Sequence, residues 1–358
     1  MRSHPPPVTM GNSSKLDNAT LSLFMNVNAS IAISVIYVIV TAINLVGNGL
    51  SMWILIFRTS PKTPSIIFMI NLTLTDLALG TALPFQIAYQ LQGYHWKLGA
   101  NMCRVMTIVF YTNMYCSVLT MMAIGIDRYL GIVWPMWFRQ IRKRKSNAVI
   151  SCILMWGLVL SVLYPLMTTD LTFNIPELGI TTCFDVLKKD MLPNLTAWAA
   201  FLFSMVFVLF LFPFCVTTFC YISVIHKLAR DSKTAQKKRA IRLAFIVLLV
   251  FTVCFAPNNI LLLTHSVLRL FYKQSMYMSY KLSLCFSCLN SCLDPFIYYF
   301  ASKDFRHKLR QIINLHTLSS GDSMKMEHRE SLYSATCAFE SQEREHSKLS
   351  LMPQNTTA

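Results

Sequence analysis

Residues 121–135, "MMAIGIDRYLGIVWP", place an acid and a base side by side at the end of a long apolar run. Residues 105–126 contain no Asp, Glu, Lys or Arg, and Asp127 and Arg128 follow directly. A bilayer core about 30 Å thick requires about 20 apolar residues in a spanning helix, so this run is long enough to cross a membrane. A charged side chain inside a bilayer costs about 2.5–3.5 kcal/mol on insertion scales. Two charges kept at the end of a span therefore indicate a functional role.

Six further stretches are also long and apolar enough to span a bilayer. They are residues 31–57, 65–91, 146–167, 195–225, 243–268 and 282–300. The chain of 358 residues is 54% hydrophobic and only 13% charged, a composition that excludes an ordinary soluble domain. The predicted fold is all-α, a bundle of seven transmembrane helices.

The sequence around the bundle predicts three further segments. Residues 1–30 form a polar, glycosylated N-terminal tail, and residues 31–302 form the seven-helix domain. Residues 303–316 place Phe305, Leu309, Ile312 and Ile313 on one helical face with cations between them, which predicts an amphipathic helix on the membrane surface. Residues 317–358 are polar and lack apolar periodicity, which predicts a disordered tail that kinases can phosphorylate.

The net charge of +16 is distributed unevenly along the chain. Such a charge would suggest a nucleic-acid partner for a soluble protein, but here the cations cluster after the first, third and fifth spans. Those clusters are Arg58 and Lys62, then Arg139, Arg142, Lys143, Arg144 and Lys145, then Lys227, Arg230, Lys233, Lys237, Lys238, Arg239 and Arg242. The positive-inside rule therefore predicts a multi-pass plasma-membrane protein with its N-terminus outside, its C-terminus in the cytoplasm and no nucleic-acid partner.

Glycosylation and cysteine patterns agree with this orientation. Four sequons lie on the predicted outer side, at Asn12, Asn18, Asn28 and Asn194. Two others, at Asn71 in a span and Asn355 in the tail, are interpreted as chance matches. Of 11 cysteines, eight lie in apolar spans and one in the tail. The remaining two, Cys103 and Cys183, lie on the oxidising side, so we expect a disulfide between them.

Polar residues inside the spans form a second candidate site. Asp76 and Asp294 lie within predicted spans, with neutral polar groups at compatible depth: Asn48, Asn113, Ser117, Asn290 and Ser291. Two acids in a dry bundle either share a proton or bind a small cation such as Na⁺, for which Asp76 and Ser117 are the candidate metal ligands. The alternative is a purely structural network. No other cofactor is predicted.

Several motifs resemble those of the rhodopsin-like G-protein-coupled receptors over residues 30–314. They are "GN" in span one, "LTLTDLALGTALP" in span two, "IDRYLGIVWP" after span three, Trp156, Pro213 with Tyr221, "FTVCFAP" in span six and "DPFIYYF" in span seven. "CFAPNN", "DP" and "CFD" are similar to the purinoceptor branch. The chain departs from that branch because neither its N-terminal tail nor its last outer loop contains the cysteine of a second outer disulfide.

The resemblance implies a receptor rather than an enzyme. Asp127 and Arg128 would pair in the closed state, and the released Arg128 would move toward Tyr221. The residues implied in activation and G-protein coupling are Asp127, Arg128, Tyr129, Pro135, Tyr221, Phe251, Phe255, Pro257, Pro295 and Tyr298. The implied partners are a heterotrimeric G protein of the G-twelve/thirteen class, leading to Rho signalling, and receptor kinases and arrestin acting on the tail.

The ligand class follows from the cations near the predicted outer mouth. Receptors of this branch bind phosphates with cations at positions that match Thr107, Asn259, Leu262 and Leu284 here. A basic rim instead surrounds an apolar floor, which indicates an anionic lipid-like or lipid-conjugated ligand. The candidate binding residues are Arg104, Tyr111, Asn259, Leu262, His265, Lys281 and Leu284; Lys188, Arg269 and Lys273 complete the rim, and Leu263 the floor.

Four alternatives remain open at this point. The ligand could be a nucleotide, or the rim cations could be ordinary solvated loop charges. The chain could also be a transporter, although no internal repeat is visible. An intramembrane enzyme is the fourth, although Asp76 and Asp294 lie beside amides and serines rather than in a protease-type motif.

Overall fold

The computed structural model describes residues 26–60, 62–135, 145–185, 192–230, 235–272, 276–301 and 305–311. Several predicted features lie outside these ranges. They are Asn12, Asn18, Lys188, Lys273 and the tail 317–358. The backbones of Arg269 and Tyr298 are described, but their side chains are not.

Seven long helices account for most of the described chain. They are α1 (Val27–Arg58), α2 (Pro64–Leu91), α3 (Gly99–Val133), α4 (Lys145–Val162), α5 (Leu195–Ala229), α6 (Ala235–Val267) and α7 (Tyr277–Ala301). The first six are long and apolar enough to cross a membrane by length and composition. The seventh is more polar because it carries Lys281, Asp294 and several serines, and it packs between α6 and α1. The predicted seven-helix bundle is confirmed.

Four helices depart from the regular predicted spans, and the first of them is α1, whose last residues, Ile54–Arg58, are π-helical. The fourth span was predicted as one run, 146–167, but α4 ends at Val162 and a new helical turn covers Tyr164–Thr168. Pro165 explains the break, because proline has no N–H to donate within a helix and fits best in a first turn. In α5, residues Ser204–Leu211 are π-helical just before Pro213, and α6 continues as a π-turn over Leu268–Tyr272.

A two-stranded hairpin, which the sequence did not predict, covers one end of the bundle. Strands β1 (Thr172–Ile175) and β2 (Ile180–Cys183) pair antiparallel, with Gly179 at φ +63° in the turn. The predicted disulfide Cys103–Cys183 is confirmed and ties β2 to the start of α3. This end is called the disulfide end, and the opposite end, where α3 carries Arg128, is called the Arg128 end.

Glycines permit two close helix contacts. A Cβ added at Gly80 on α2 would lie 2.7 Å from Leu45 Cδ2 on α1, and one added at Gly47 would lie 3.0 Å from Pro295 Cγ on α7. Small residues allow membrane helices to approach closely, which strengthens their van der Waals contact. The glycines therefore pack α1 against both α2 and α7.

Residues 305–311 are helical, which agrees with the first half of the predicted surface helix 303–316. Residues 312–316, including Ile312 and Ile313, lie outside the described part of the chain.

Candidate functional site

A cavity opens at the disulfide end between α1, α2, α3 and α7, with about 590 Å³ of empty space when the open solvent at its mouth is included. It is called cavity A. Its walls are largely apolar, with Leu79 and Leu83 from α2, Phe110 from α3 and Leu284 from α7. Two charged side chains, Asp185 and Lys281, also line it. Cavity A therefore combines an apolar interior with a localised charged pair.

The charged pair is a buried ion pair between Asp185, two residues after the end of β2, and Lys281 on α7. Lys281 Nζ lies 2.7 Å from Asp185 Oδ1, and the two residues are only 4% and 7% exposed. The Tyr89 hydroxyl donates to Asp185 Oδ2 at 2.5 Å and accepts from the Cys183 amide at 3.3 Å. The sequence predicted Lys281 at an open rim, and that prediction is wrong because the residue is buried against Asp185. Removal of one partner from such a pair leaves a buried charge uncompensated, which is strongly unfavourable.

A second cavity, cavity B, lies between α3, α5, α6 and α7, with about 480 Å³ of empty space when the adjoining open solvent is included. Its lining is mainly hydrophobic and includes Trp198, Leu202, Met205 and Leu262. His265 also lines it, and its Nδ1 accepts a hydrogen bond from the Met276 amide at 3.3 Å. Cavity B is thus suited to a hydrocarbon group rather than a charged one.

An aromatic wall separates the two cavities. Tyr111, Phe184 and Asp185 line both cavities, and the Tyr111 hydroxyl is hydrogen-bonded to that of Tyr280. The Phe184 ring meets the Tyr111 ring edge-on with centroids 5.6 Å apart, and His265 stacks on Tyr280 at 5.7 Å. Phe184 adopts φ 55°, a left-handed conformation that non-glycine residues rarely adopt. The adjacent Cys183, fixed by its disulfide, holds Phe184 in this wall.

Most of the predicted ligand residues meet at these cavities. Tyr111, Leu262, His265, Lys281 and Leu284 each line at least one of them, as does Thr107. The other two, Arg104 and Asn259, line neither.

Arg104 and Asn259 have other partners instead. The Arg104 guanidinium donates to the Met167 carbonyl at 3.1 Å and to the Asn101 side chain. Asn259 is fully buried, accepts from the Tyr115 hydroxyl at 3.2 Å and donates to the Phe255 carbonyl at 3.0 Å.

The sequence missed six residues that line the cavities or form a hydrogen bond to a residue that lines them. They are Tyr89, Phe184, Asp185, Trp198, Met205 and Tyr280. The disulfide offered a signal for two of them, because Cys183 carries Phe184 and Asp185 over the bundle. The rotation of each helix decides the others, and a single sequence of uniformly apolar spans does not reveal that rotation.

The predicted polar set meets in the middle of the bundle. Asp76 Oδ1 accepts from Asn113 Nδ2 at 3.0 Å and from Ser291 Oγ at 2.8 Å. Asn48 donates to the Ser291 carbonyl at 2.7 Å, and Asn44, which the sequence missed, donates to the Asp76 carbonyl at 2.8 Å. These bonds join α1, α2, α3 and α7 in one network.

Several oxygens of this network have no hydrogen-bond partner within the described chain. Asn290 Nδ2 donates to Asp294 Oδ2 at 2.9 Å, which leaves the other oxygens of that pair unused. The buried oxygens without a hydrogen bond are Asn48 Oδ1, Asp76 Oδ2, Ser117 Oγ, Asn290 Oδ1 and Asp294 Oδ1, and the Asp76 and Asp294 carboxyl groups are close enough to share a proton. Buried polar atoms normally have partners. This set of oxygens matches the ligand preference of a hard cation.

At the Arg128 end, the predicted Asp127–Arg128 ion pair is not formed. Asp127 Oδ2 accepts from Ser65 Oγ on α2 at 2.5 Å, and no ion pair of Asp127 with Arg128 occurs among the described contacts. Neighbouring residues on a helix project in different directions, so their side chains do not face each other. Tyr221 is buried on α5, and a Cβ added at Gly125 on α3 would lie 3.3 Å from its ring.

A row of aromatic side chains packs between α5 and α6. Phe214 stacks on Phe251 with centroids 5.7 Å apart, and Phe251 contacts Phe255 at 5.5 Å. Pro257 and Pro295 lie inside α6 and α7. Nearer the Arg128 end, Tyr129 contacts Phe219 at 5.7 Å, and Pro135 is exposed.

The described sequons differ in accessibility. Asn28 is exposed in the first turn of α1, and Asn194 is exposed as the N-cap of α5, where its side chain accepts from the Ala197 amide at 2.8 Å. Asn71 is buried, donates to Thr120 at 2.9 Å and accepts from Trp156 at 2.9 Å. Burial of Asn71 agrees with the interpretation of its sequon as a chance match.

Comparisons with known proteins identify related chains. The family model for the "7 transmembrane receptor (rhodopsin family)" matches residues 47–298. The P-two-Y purinoceptor 8 from Gallus gallus is 52% identical over 326 residues, which cover 90% of each chain. The S-geranylgeranyl-glutathione receptor from Homo sapiens is 48% identical over 327 residues, again 90% of each. Proteinase-activated receptor 2 from Rattus norvegicus is 39% identical over 319 residues, 86% of this chain and 79% of that protein.

Proposed function

Because the chain belongs to the rhodopsin family of seven-transmembrane receptors, we propose that it is a receptor for an anionic lipid-conjugated ligand and activates G proteins of the G-twelve/thirteen class. The family establishes the coarser function. The protein is a multi-pass plasma-membrane receptor, not an enzyme, and it couples an extracellular ligand to heterotrimeric G proteins.

The observation that carries the ligand proposal is a buried cation beside an apolar cavity. Lys281 lines cavity A, and cavity B shares the wall formed by Tyr111, Phe184 and Asp185. An ammonium in a site of low dielectric attracts an anion strongly, whereas a hydrocarbon gains from leaving water at about 25 cal/mol per Å². A single ligand with an anionic head and a hydrocarbon chain satisfies both requirements.

The name of the human relative supports the same ligand class. S-geranylgeranyl-glutathione, printed in that name, joins a hydrocarbon chain to an anionic peptide. The match to that relative covers 90% of this chain. We therefore use this compound as the first test ligand.

A nucleotide is the second candidate, because the relative from Gallus gallus is named a purinoceptor. Polyphosphates are normally bound by several Arg or Lys side chains. Among the described residues that line the two cavities, Lys281 is the single Lys or Arg. That lining favours a ligand with one principal anionic group over a polyphosphate.

The proposed orientation places the disulfide end outside the cell. Two observations support it: the Cys103–Cys183 bridge suits an oxidising compartment, and the basic segments after α1, α3 and α5 follow the positive-inside rule. The N-terminal tail and Asn194 then face outward, and the tail 317–358 is available to receptor kinases and arrestin in the cytoplasm.

The G protein would bind at the Arg128 end. Arg128 is not held by Asp127, and Tyr221 lies on the adjoining face of α5. We assign the G-twelve/thirteen class and Rho signalling from the likeness to the purinoceptor 8 of Gallus gallus. The ligand would act by shifting the population between two arrangements of the bundle.

We also propose Na⁺ as an allosteric ion, with Asp76 and Ser117 as its principal ligands. The buried oxygens without a hydrogen bond, Asp76 Oδ2, Ser117 Oγ, Asn290 Oδ1 and Asp294 Oδ1, support this assignment. An ion bound there would stabilise whichever arrangement of the bundle keeps these oxygens together.

The ligand proposal is tested by binding and signalling in cells. S-geranylgeranyl-glutathione should activate the receptor, whereas micromolar ADP, ATP, UTP and UDP-sugars should not. Lys281→Ala and Leu262→Asn should each weaken the response. Lys97→Ala, at an exposed loop residue, and Ile260→Asn, on the outward face of α6, are the matched controls. A nucleotide response that Lys281→Ala abolishes would establish the purinergic alternative.

A further inference from the structure

The Lys281–Asp185 ion pair occupies the position that the proposed ligand requires for its own anion. Lys281 faces cavity A, yet its ammonium is bound 2.7 Å from Asp185 Oδ1. We propose that the anionic group of the ligand replaces the Asp185 carboxylate on Lys281. The assignment rests on the proposed function and identifies Asp185 as a residue that determines ligand specificity.

The surroundings of Asp185 make such an exchange feasible. Its second oxygen accepts from the Tyr89 hydroxyl at 2.5 Å, so the carboxylate keeps a hydrogen bond after Lys281 leaves it. Lys281 would meanwhile gain the ligand's anion. Lys281 is then never left buried without a counter-charge, and the Tyr89 hydrogen bond offsets part of the cost of freeing the Asp185 carboxylate.

The exchange also joins the two cavities. Asp185 and its neighbour Phe184 line both of them, so displacement of Asp185 opens the wall at the residue that carries the negative charge. The anionic head would stay beside Lys281 in cavity A, and the hydrocarbon would pass into cavity B, toward Trp198 and Leu262. The anionic head of one ligand molecule would therefore occupy cavity A, and its hydrocarbon chain would occupy cavity B.

The anchoring of the loop limits how far Asp185 can move. Cys183, two residues earlier, is fixed to α3 by its disulfide, and Phe184 donates its amide to the Leu171 carbonyl at 2.9 Å. The side chain of Asp185 can rotate while its backbone stays in place. A neutral ligand has no group that competes for Lys281, so the pair selects for anions.

The direction of one mutational effect separates exchange from a merely structural pair. If Asp185 competes with the ligand, Asp185→Asn removes the competitor and raises the affinity for an anionic ligand. If the pair only holds the loop in place, the same substitution lowers the affinity. Lys281→Ala lowers the affinity whether the pair exchanges with the ligand or only holds the loop, so substitution of Asp185 is the informative test.

The experiment measures equilibrium binding of radiolabelled S-geranylgeranyl-glutathione to full-length receptor in membranes, with surface amount measured by antibody. We expect Asp185→Asn to bind about tenfold more tightly than the wild type, because the binding-competent form no longer has to be released from the ion pair. Lys281→Arg should retain binding. Asp170→Asn, at an exposed position in the same loop, should leave affinity unchanged and serves as the control.

Each outcome decides between the two proposals. If the wild type binds and Asp185→Asn binds equally or more weakly, the exchange is wrong and the ligand class stands. If neither binds, the ligand class is wrong and the exchange falls with it. If only Asp185→Asn binds, the exchange is supported.

A charge-swapped receptor covers the case in which Asp185→Asn does not reach the surface. The double variant Asp185→Lys with Lys281→Asp restores an ion pair, so we expect it to fold. Exchange predicts that the acid now on α7 repels the anionic probe and that binding is lost. Wild-type affinity in the swapped receptor would overturn the proposal.

Discussion

The two ends of the bundle differ in how their acidic and basic side chains are paired. At the disulfide end, Asp185 and Lys281 are 96 positions apart in sequence and form a buried ion pair. At the Arg128 end, Asp127 and Arg128 are adjacent in sequence, yet Asp127 bonds to Ser65. Adjacent residues on a helix do not face each other, whereas a disulfide can bring a distant acid over a helix end. Sequence proximity is thus a poor guide to charge pairing in this fold.

The comparison implies different tasks for the two ends. Under the two proposals, the disulfide end holds its cation in a pair that the ligand replaces, and the Arg128 end offers its cation to the G protein. Loss of Arg128 should therefore have the largest effect on signalling.

Arg128→Ala should abolish nucleotide exchange while leaving binding at the disulfide end nearly intact. The reason is that the substitution removes the cation proposed to contact the G protein and alters no residue of either cavity. The measurement is guanine-nucleotide exchange in membranes with purified G protein, alongside radioligand binding. Full exchange by the variant would contradict the division between the two ends.

Cys103→Ser should reduce both surface expression and ligand response. Loss of the Cys103–Cys183 disulfide frees the loop that carries Asp185, and removal of a native disulfide typically costs about 2–5 kcal/mol. Flow cytometry and the signalling assay measure the two effects. Cys215→Ser, at an exposed free cysteine of α5, is the control and should behave as the wild type. Normal expression and signalling by Cys103→Ser would refute the role of the bridge.

Asp76→Asn should blunt signalling and remove its dependence on Na⁺, because the substitution keeps the shape and deletes the charge. The network between the two ends loses a carboxylate that bonds both Asn113 and Ser291. Exchange measured at increasing NaCl, with choline chloride at equal ionic strength as the control, tests this point. Persistent modulation by Na⁺ in the variant would place the ion elsewhere.

Ser65→Ala should have the smallest effect. It removes a hydrogen bond between α2 and α3 at the Arg128 end, where the G protein is proposed to bind, so basal exchange should fall. A net hydrogen bond contributes about 1 kcal/mol, which limits the change to about fivefold. Ser151→Ala, at a partly exposed serine on α4 bonded to its own helix, is the control. Increased basal exchange in Ser65→Ala would show that the Ser65–Asp127 bond restrains the receptor.

Much of the architecture was accessible from sequence. Run length identified seven spans because a membrane requires about 20 apolar residues, and the location of Cys103 and Cys183 outside those spans predicted their bridge. The end of α4 at Val162, the π-helical segment Ser204–Leu211 and the β1–β2 hairpin were not predicted. Each depends on local backbone geometry that apolar run length does not report.

The site was only partly predictable, for the same physical reason. Leu262, Leu284 and Tyr111 were recognised as an apolar floor, and the structure brings them to the cavities. The burial of Lys281 was missed because its partner, Asp185, reaches it through a disulfide-anchored loop. In the polar core, Asp76 and Ser291 were identified because polar residues are conspicuous in apolar helices.

The most direct test of the central claim links the two ends in one assay. Guanine-nucleotide exchange on purified G-thirteen is measured in membranes that contain the receptor, with S-geranylgeranyl-glutathione or its diester, which lacks both carboxylates, added. The account predicts a saturable increase with the anionic compound, little increase with the ester, and loss of the increase in both Lys281→Ala and Arg128→Ala. Equal activation by the ester, or full activation of Lys281→Ala, would contradict it.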